Sequence, residues 1–297
     1  MSHTEATSTI ESRALPNTVV FGFVKALAQE LSQGRIDLPS VPEIVLKIQR
    51  TMANENVSNE TVVKVLGSEP MLASKLLNMA NSAALNTSGR KIADLRMAVA
   101  RVGFNIVRSA ALSFAIEQLR AAGQFKHLEP LLDALWKRSV HVAALSHVVA
   151  RRFTSLNGDT ALLAGLMLNV GRIYILTRAS DHPSLFADQL TYQSIVRDWH
   201  TNVAKALLEN WQVAEEIVDA VGNHEDLNRE MRGPVTLTDV VALATLLHQH
   251  IANGSLIDPT EALVWALKRL QVRYADCQGV IDESATEIEA LKAVLGG

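Results

Sequence analysis

Apolar side chains recur at three- and four-residue intervals from Asn17 to Val294, and nowhere do they alternate with period two for long. That rhythm excludes an extended sheet and confines the chain to packed helices, because only positions three or four apart share a helix face. Composition agrees: aromatic residues make up only 5% of 297, Ala and Leu dominate, and hydrophobic residues reach 48%, enough for a sizeable core.

The helical stretches are punctuated by legible stops. The segment 1–15 is polar and reads as a disordered lead-in, and 16–35 as a first helix, Asn17 to about Ser32, stopped by Gly34. From Ile36 to residue 122 the chain reads as a block of short helices. Leu38-Pro39-Ser40-Val41-Pro42 forces extended backbone, and Ile44, Val45, Ile48 and Met52 follow at helical spacing. Ser58, Ser68, Asp94 and Asn105 stand where N-caps belong, with Gly103 expected to separate two helices. After a polar break at Gly123 to Glu129, a second block of longer helices is predicted over 130–250. It includes Leu135 to Arg152 and one apolar central helix from Thr160 to Thr177. Further helices are expected over Leu185–Asn210, Ala214–Gly222 and Val235–Ile251. In the C-terminal part, 251–297, they are expected over Pro259–Val272 and Ser284–Val294. The predicted fold class is therefore all-α, multi-helical, in two blocks.

Charge and motif content narrow the function. A net charge of −3 offers no general attraction to nucleic acid or anionic lipid. Lys75, Arg90, Lys91, Arg96, Arg101 and Arg108 are spread too thinly for a strong nucleic-acid footprint. The single cysteine, Cys277, excludes an internal disulfide and a cysteine-based zinc site. No apolar run approaches the ~20 residues needed to span a bilayer, and the N-terminus lacks a secretory pattern. No membrane association is expected, and the cytoplasm is the expected location. Phosphate loops, dinucleotide fingerprints and nucleophile elbows are absent from the sequence.

Histidines are the remaining chemical resource. His141 and His147, six apart, and His248 and His250, two apart, cannot chelate a metal within one helix. His200 and His224 lie on different predicted helices, flanked by Asp198, Asp219, Glu225 and Asp226, and are able to converge in space. Two histidines alone do not close a metal site. The tryptophans Trp136, Trp199 and Trp211 read as core residues.

Several segments carry a resemblance. Leu38-Pro39-Ser40-Val41-Pro42-Glu43, Ser68-Glu69-Pro70-Met71-Leu72-Ala73-Ser74-Lys75-Leu76-Leu77 and Met79-Ala80-Asn81-Ser82-Ala83 resemble the opening of the HDOD domain. This is a bacterial output domain related to HD and HD-GYP metal-dependent phosphohydrolases. Ile92 to Val99, Val102-Gly103-Phe104, Trp136, Gly165 to Arg172, and His200 to Ile217 continue the match, so the resemblance spans 36–250.

The resemblance implies a short-helix subdomain (36–122) packed on an HD-like subdomain (130–250) derived from a metal site. Working HD enzymes use a histidine, a His-Asp doublet and a later aspartate. Here those positions fall at or about Arg138, at Leu168-Asn169 and at Thr245, while His200 and His224 match histidines the family often keeps. Leucine offers no lone pair and asparagine replaces a bridging carboxylate poorly. The implied protein is a non-catalytic signal-transduction module that binds protein partners, with a small ligand possible in the HD-like groove. No metal or other cofactor is expected, and any metal would fall to His200 and His224. The alternatives are an HD-type phosphohydrolase that retains a divalent metal and residual activity, or a nucleotide- or DNA-binding regulator. Related domains are often fused to response-regulator or cyclic-dinucleotide domains. With about 35 residues before the domain and about 45 after it, a stand-alone adaptor is the expectation.

Overall fold

The structure, a computed structural model, describes residues 17–34, 36–39, 41–54, 56–86, 88–228, 233–252 and 260–296. The lead-in expected over 1–15 lies outside the described residues. Among them every regular element is a helix. Those up to the middle of the chain are α1 (Asn17–Ser32), α2 (Glu43–Ala53), α3 (Asn59–Leu66), α4 (Pro70–Ala80), α5 (Leu95–Ala121), α6 (Glu129–Phe153) and α7 (Gly158–Met167). There follow α8 (Val170–Ala179), α9 (Pro183–Ala187), α10 (Gln189–Asn210), α11 (Glu215–Asn223), α12 (Leu237–Ala252), α13 (Glu261–Leu270), α14 (Tyr274–Glu283) and α15 (Ala285–Leu295).

Local chemistry explains most boundaries. Ser58 Oγ accepts the Thr61 N–H at 3.2 Å, and both Asp94 carboxylate oxygens accept N–H groups of the first turn of α5. Ser68 does not cap α4: its hydroxyl donates to the Val65 carbonyl, and Glu69 takes the capping position ahead of Pro70. Gly103 separates two helical stretches within α5, as expected: at φ 75° and ψ 173° it makes a kink in a conformation only glycine adopts without strain. Asn105 does not cap the second stretch; its amide donates to Thr160 Oγ1 at 2.8 Å, tying α5 to α7.

The helix expected over Thr160–Thr177 breaks at Leu168-Asn169. Asn169 leaves helical angles, at φ −100° and ψ 8°, and its amide turns toward α6 to donate to the Leu135 carbonyl and to Ser139 Oγ. The stretch Leu185–Asn210 likewise divides at Asp188, whose carboxylate accepts from both Thr191 N and Thr191 Oγ1. Helix α14, not expected from the sequence, closes around the buried Cys277.

One continuous hydrophobic core joins the two blocks. Helix α5 packs on α2, α3 and α4 on one side and on α6 and α7 on the other. The HD-like block builds outward from the α6–α7 pair through α8, α10, α11 and α12. At the α8–α10 crossing, a Cβ on Gly171 would lie 2.0 Å from the His200 carbonyl oxygen, so the two backbones touch as only glycine permits. Helix α1 packs on α10, and its Glu30 meets Tyr174 and Arg178 of α8. Helix α15 returns across α4, α5 and α6, where Ser113 Oγ and Trp136 Nε1 donate to the Leu295 and Gly296 carbonyls at 2.7 and 3.0 Å.

Two segments, Leu95–Ala121 and Gly158–Ala179, are in fact long and apolar enough to cross a bilayer, contrary to the expectation that none is. Their most apolar windows are 67% and 94% buried, so that apolarity is used in the core.

Candidate functional site

The residues singled out in the HD-like block divide into those that converge and those that do not. His200, near the middle of α10, and His224, the residue capping α11, approach to 6.4 Å between ring centroids, and both are buried. Of the flanking carboxylates, Glu225 faces both rings: Oε2 lies 3.1 Å from His200 Nε2 and Oε1 lies 3.5 Å from His224 Nε2. Asp198 pairs instead with Arg197, and Asp226 accepts the Asn228 N–H.

The fourth member is Arg172 of α8. Its Nη2 lies 2.8 Å from His200 Nε2 and 3.0 Å from Glu225 Oε1. The neighbouring Gly171 crossing brings α8 against α10 and so delivers this guanidinium. A neutral His200 carrying its proton on Nε2 donates to Glu225. Its Nδ1, buried without a partner, is then a bare lone pair rather than a stranded N–H. Burial drives the His200 pKa below the ordinary imidazole value against the opposing bond to Glu225. Burial also works against the Glu225 charge, yet its contacts with His200 and His224 prevail and hold the carboxyl far below the usual range. At neutral pH the cluster holds an ionised carboxylate and a fixed guanidinium beside the two histidine rings.

Arg138, on α6, is half-buried and close enough to Arg172 and Glu225 to feel both charges. Leu168 is fully buried. The Asn169 amide nitrogen is committed to α6, while its Oδ1 is buried without a hydrogen-bond partner. Thr245 does not join the cluster through its hydroxyl, which donates to the Val241 carbonyl on its own helix.

These residues do not fit a divalent cation. Leu168 has no donor atom, one neutral amide oxygen is a poor ligand, and two guanidinium groups stand where a dication would need carboxylates. Among the described residues no group of three or more His, Cys, Asp or Glu side chains is placed to hold a metal ion.

A second histidine pair is invisible to spacing along the chain because its members lie on different helices. His141 of α6 and His248 of α12 meet through their Nδ1 atoms at 3.0 Å, with rings edge to face. A signal was present: His141 lies one turn beyond Arg138, and His248 one turn beyond Thr245, so each shares a helix face with a residue already singled out.

The HDOD domain family matches residues 38–227, well over half of the chain. The chain belongs to the HDOD family. A crystal structure of a proposed metal-dependent phosphohydrolase from Shewanella amazonensis SB2B is similar, with a TM-score of 0.69, 24% identity and coverage of 94% of this chain and 99% of that one. An HDOD domain protein of unknown function from Geobacter sulfurreducens has a TM-score of 0.59 and 23% identity, covering 91% and 98%. A proposed signal transduction protein from Marinobacter aquaeolei VT8 has a TM-score of 0.61 and 22% identity, covering 96% and 67%. At these identities the likeness shows the fold. An uncharacterized protein of Treponema pallidum (strain Nichols) is 23% identical over 237 residues, 74% of this chain and 44% of the relative. The chain thus spans less than half the length of that relative. As an HDOD protein it is all-helical and related to HD phosphohydrolases.

Proposed function

We propose that this HDOD protein is a non-catalytic regulatory module of bacterial signal transduction that works by binding protein partners. The observation that carries the reading is Arg172, whose guanidinium bonds Glu225 and lies 2.8 Å from His200 Nε2. A built-in cation there takes the electrostatic role a metal would play, but it cannot polarise water into hydroxide. Leu168 and Asn169 in place of the doublet support the same reading, as does the neighbour described as a proposed signal transduction protein.

The nucleic-acid alternative loses support because Lys75, Arg96, Arg101 and Arg108 are each bonded within the chain, to Glu117, Glu60, Ser88 and the Met52 carbonyl. A lone, buried Cys277 suits a reducing cytoplasm, the setting we take for this module.

The test is elemental analysis of protein purified without chelator, together with turnover of a generic phosphodiester and of cyclic dinucleotides in added manganese. Sub-stoichiometric metal and no turnover above the protein-free blank are expected, with affinity pull-down then used to find the partner. Robust metal-dependent turnover that disappears in His200→Ala would sink the proposal in favour of a working phosphohydrolase.

A further inference from the structure

Between α6, α12 and α15 lies a cavity of about 520 Å³, within the size range of small-molecule sites. Lys137, Arg138 and His141 line it from α6, His248 from α12, and Glu289 and Lys292 from α15. Three cations and two imidazoles thus face a single carboxylate. Two of the cations already have partners: Lys137 meets Asp133 at 2.8 Å and Lys292 meets Glu289 at 2.7 Å. Arg138 differs. Among the described residues it takes part in no ion pair, and its Nε is buried with no hydrogen-bond partner. A half-buried guanidinium left in that state is costly, and an anion in the cavity would relieve it.

The imidazoles add directional chemistry. With the two Nδ1 atoms 3.0 Å apart, one ring donates and the other accepts when both are neutral. The accepting ring then carries its proton on Nε2, a donor available to a ligand. A planar guanidinium, two ammonium groups and an imidazole N–H converging on one space suit a tetrahedral oxyanion with several acceptor oxygens better than a carboxylate with two.

We propose that this cavity is a recognition site for the phosphate group of a small phosphorylated ligand, with Arg138 as its anchor and Lys137, Lys292 and the His141–His248 pair completing it. The state without ligand is electrostatically unfavourable for the rings. Burial, then His141, Arg138 and Lys292, push His248 down to about 4, and burial and Lys292 lower His141 while Glu289 opposes. A bound dianion reverses that balance and draws a proton onto the pair. Lys137, Arg138 and His141 lie inside the residues matched by the HDOD family and His248, Glu289 and Lys292 outside them, so the site is completed by helices beyond the matched segment. It goes beyond the regulatory reading and does not depend on it, since a working phosphohydrolase would keep the same cavity.

The experiment is calorimetric titration of the full chain with inorganic phosphate at constant ionic strength and pH 7, alongside nitrogen-15 spectra of the histidine rings. Saturable binding is expected, with shifts of the His141 and His248 signals. Arg138→Gln and Lys292→Gln should each weaken it at least tenfold, whereas Arg101→Gln, whose guanidinium bonds Ser88, should leave it unchanged. Thermal unfolding checks that each variant is folded, and the Lys292 variant, made on a peripheral helix, stands independently of any defect in Arg138→Gln. Competition by adenosine monophosphate and by a sugar phosphate distinguishes the sources of the phosphate. Tighter binding of either one, lost in Arg138→Gln, supports the site and names the ligand's body. Absence of saturable phosphate binding overturns the proposal. So does binding that survives in both cavity variants, or binding of an acidic peptide without any binding of phosphate.

Discussion

His200 and His224, packed with Glu225 and Arg172, and His141 and His248, beside Arg138, are the same side chains in opposite circumstances. The first pair is separated by 6.4 Å and filled: Glu225 faces both rings, and Arg172 bonds the carboxylate and lies beside His200. The second pair is in direct contact, at 3.0 Å, and opens onto a cavity where Lys137, Arg138 and Lys292 outnumber the one carboxylate, Glu289. What an imidazole can do depends on what faces it. A carboxylate and a guanidinium together close a site; cations that outnumber the carboxylate facing them leave one open.

The comparison can be broken most forcefully at the backbone that supports the closed pair. Gly171→Ala places a methyl 2.0 Å from the His200 carbonyl oxygen and 2.8 Å from the Ala204 nitrogen, and neither backbone can yield cheaply. A loss of about 3 kcal/mol in chemical denaturation is expected, at the upper end for overpacking. Retention of wild-type stability would mean that α8 and α10 are not in contact as described.

Glu225→Gln leaves Arg172 without its counter-ion and is expected to cost about 2 kcal/mol, reduced from the fully buried case because the carboxylate is 39% exposed. The pH dependence follows from the direction of the shift. The Glu225 carboxyl is depressed in the folded protein, so its contribution is present above the ordinary value of 4.5 and is lost as pH falls below it. Urea denaturation at pH 7 and pH 4 should show the gap between wild type and Glu225→Gln narrowing in acid. A gap that widened there would contradict the closed cluster.

The open pair carries a smaller effect that begins at higher pH. His248 titrates at about 4 in the folded chain, below its ordinary 6.5, so the unfolded chain takes the proton first as pH falls. Stability should therefore decline between 6.5 and 4, and His248→Gln should flatten that decline by about 1 kcal/mol. Added phosphate should flatten it as well. An unchanged profile in the variant would show that the pair does not titrate as a buried unit.

The smallest effect expected is at the tie between α6 and the end of α15. Trp136→Phe removes one hydrogen bond to the Gly296 carbonyl and should cost about 1 kcal/mol with phosphate binding intact. Lost binding would place the anchoring of α15 in the ligand site itself.

The architecture was legible in the residues because its signals are local. Caps at Ser58 and Asp94, the polar break before α6 and the three- and four-residue apolar spacing all act within a turn or two of where they are written. The breaks that the residues did not announce are tertiary. Asn169 ends α7 because its amide finds Leu135 and Ser139 thirty or more residues away. The site divides similarly. His200, His224 and Glu225 could be nominated from residue type and proximity, whereas the role of Arg172 depends on a helix crossing. The His141–His248 contact joins positions 107 residues apart, which periodicity on a single helix cannot reveal.

Helix α15 has two sides with different obligations. Ile288, Leu291 and Leu295 are buried against the core, and Ser113 and Trp136 grip the carbonyls at its end. Glu289, Lys292 and Ala293 face the cavity. The helix is a wall with one fixed face and one editable face: replacing Glu289, Lys292 or Ala293 rewrites the charge and shape of the cavity without touching a side chain that holds the core together.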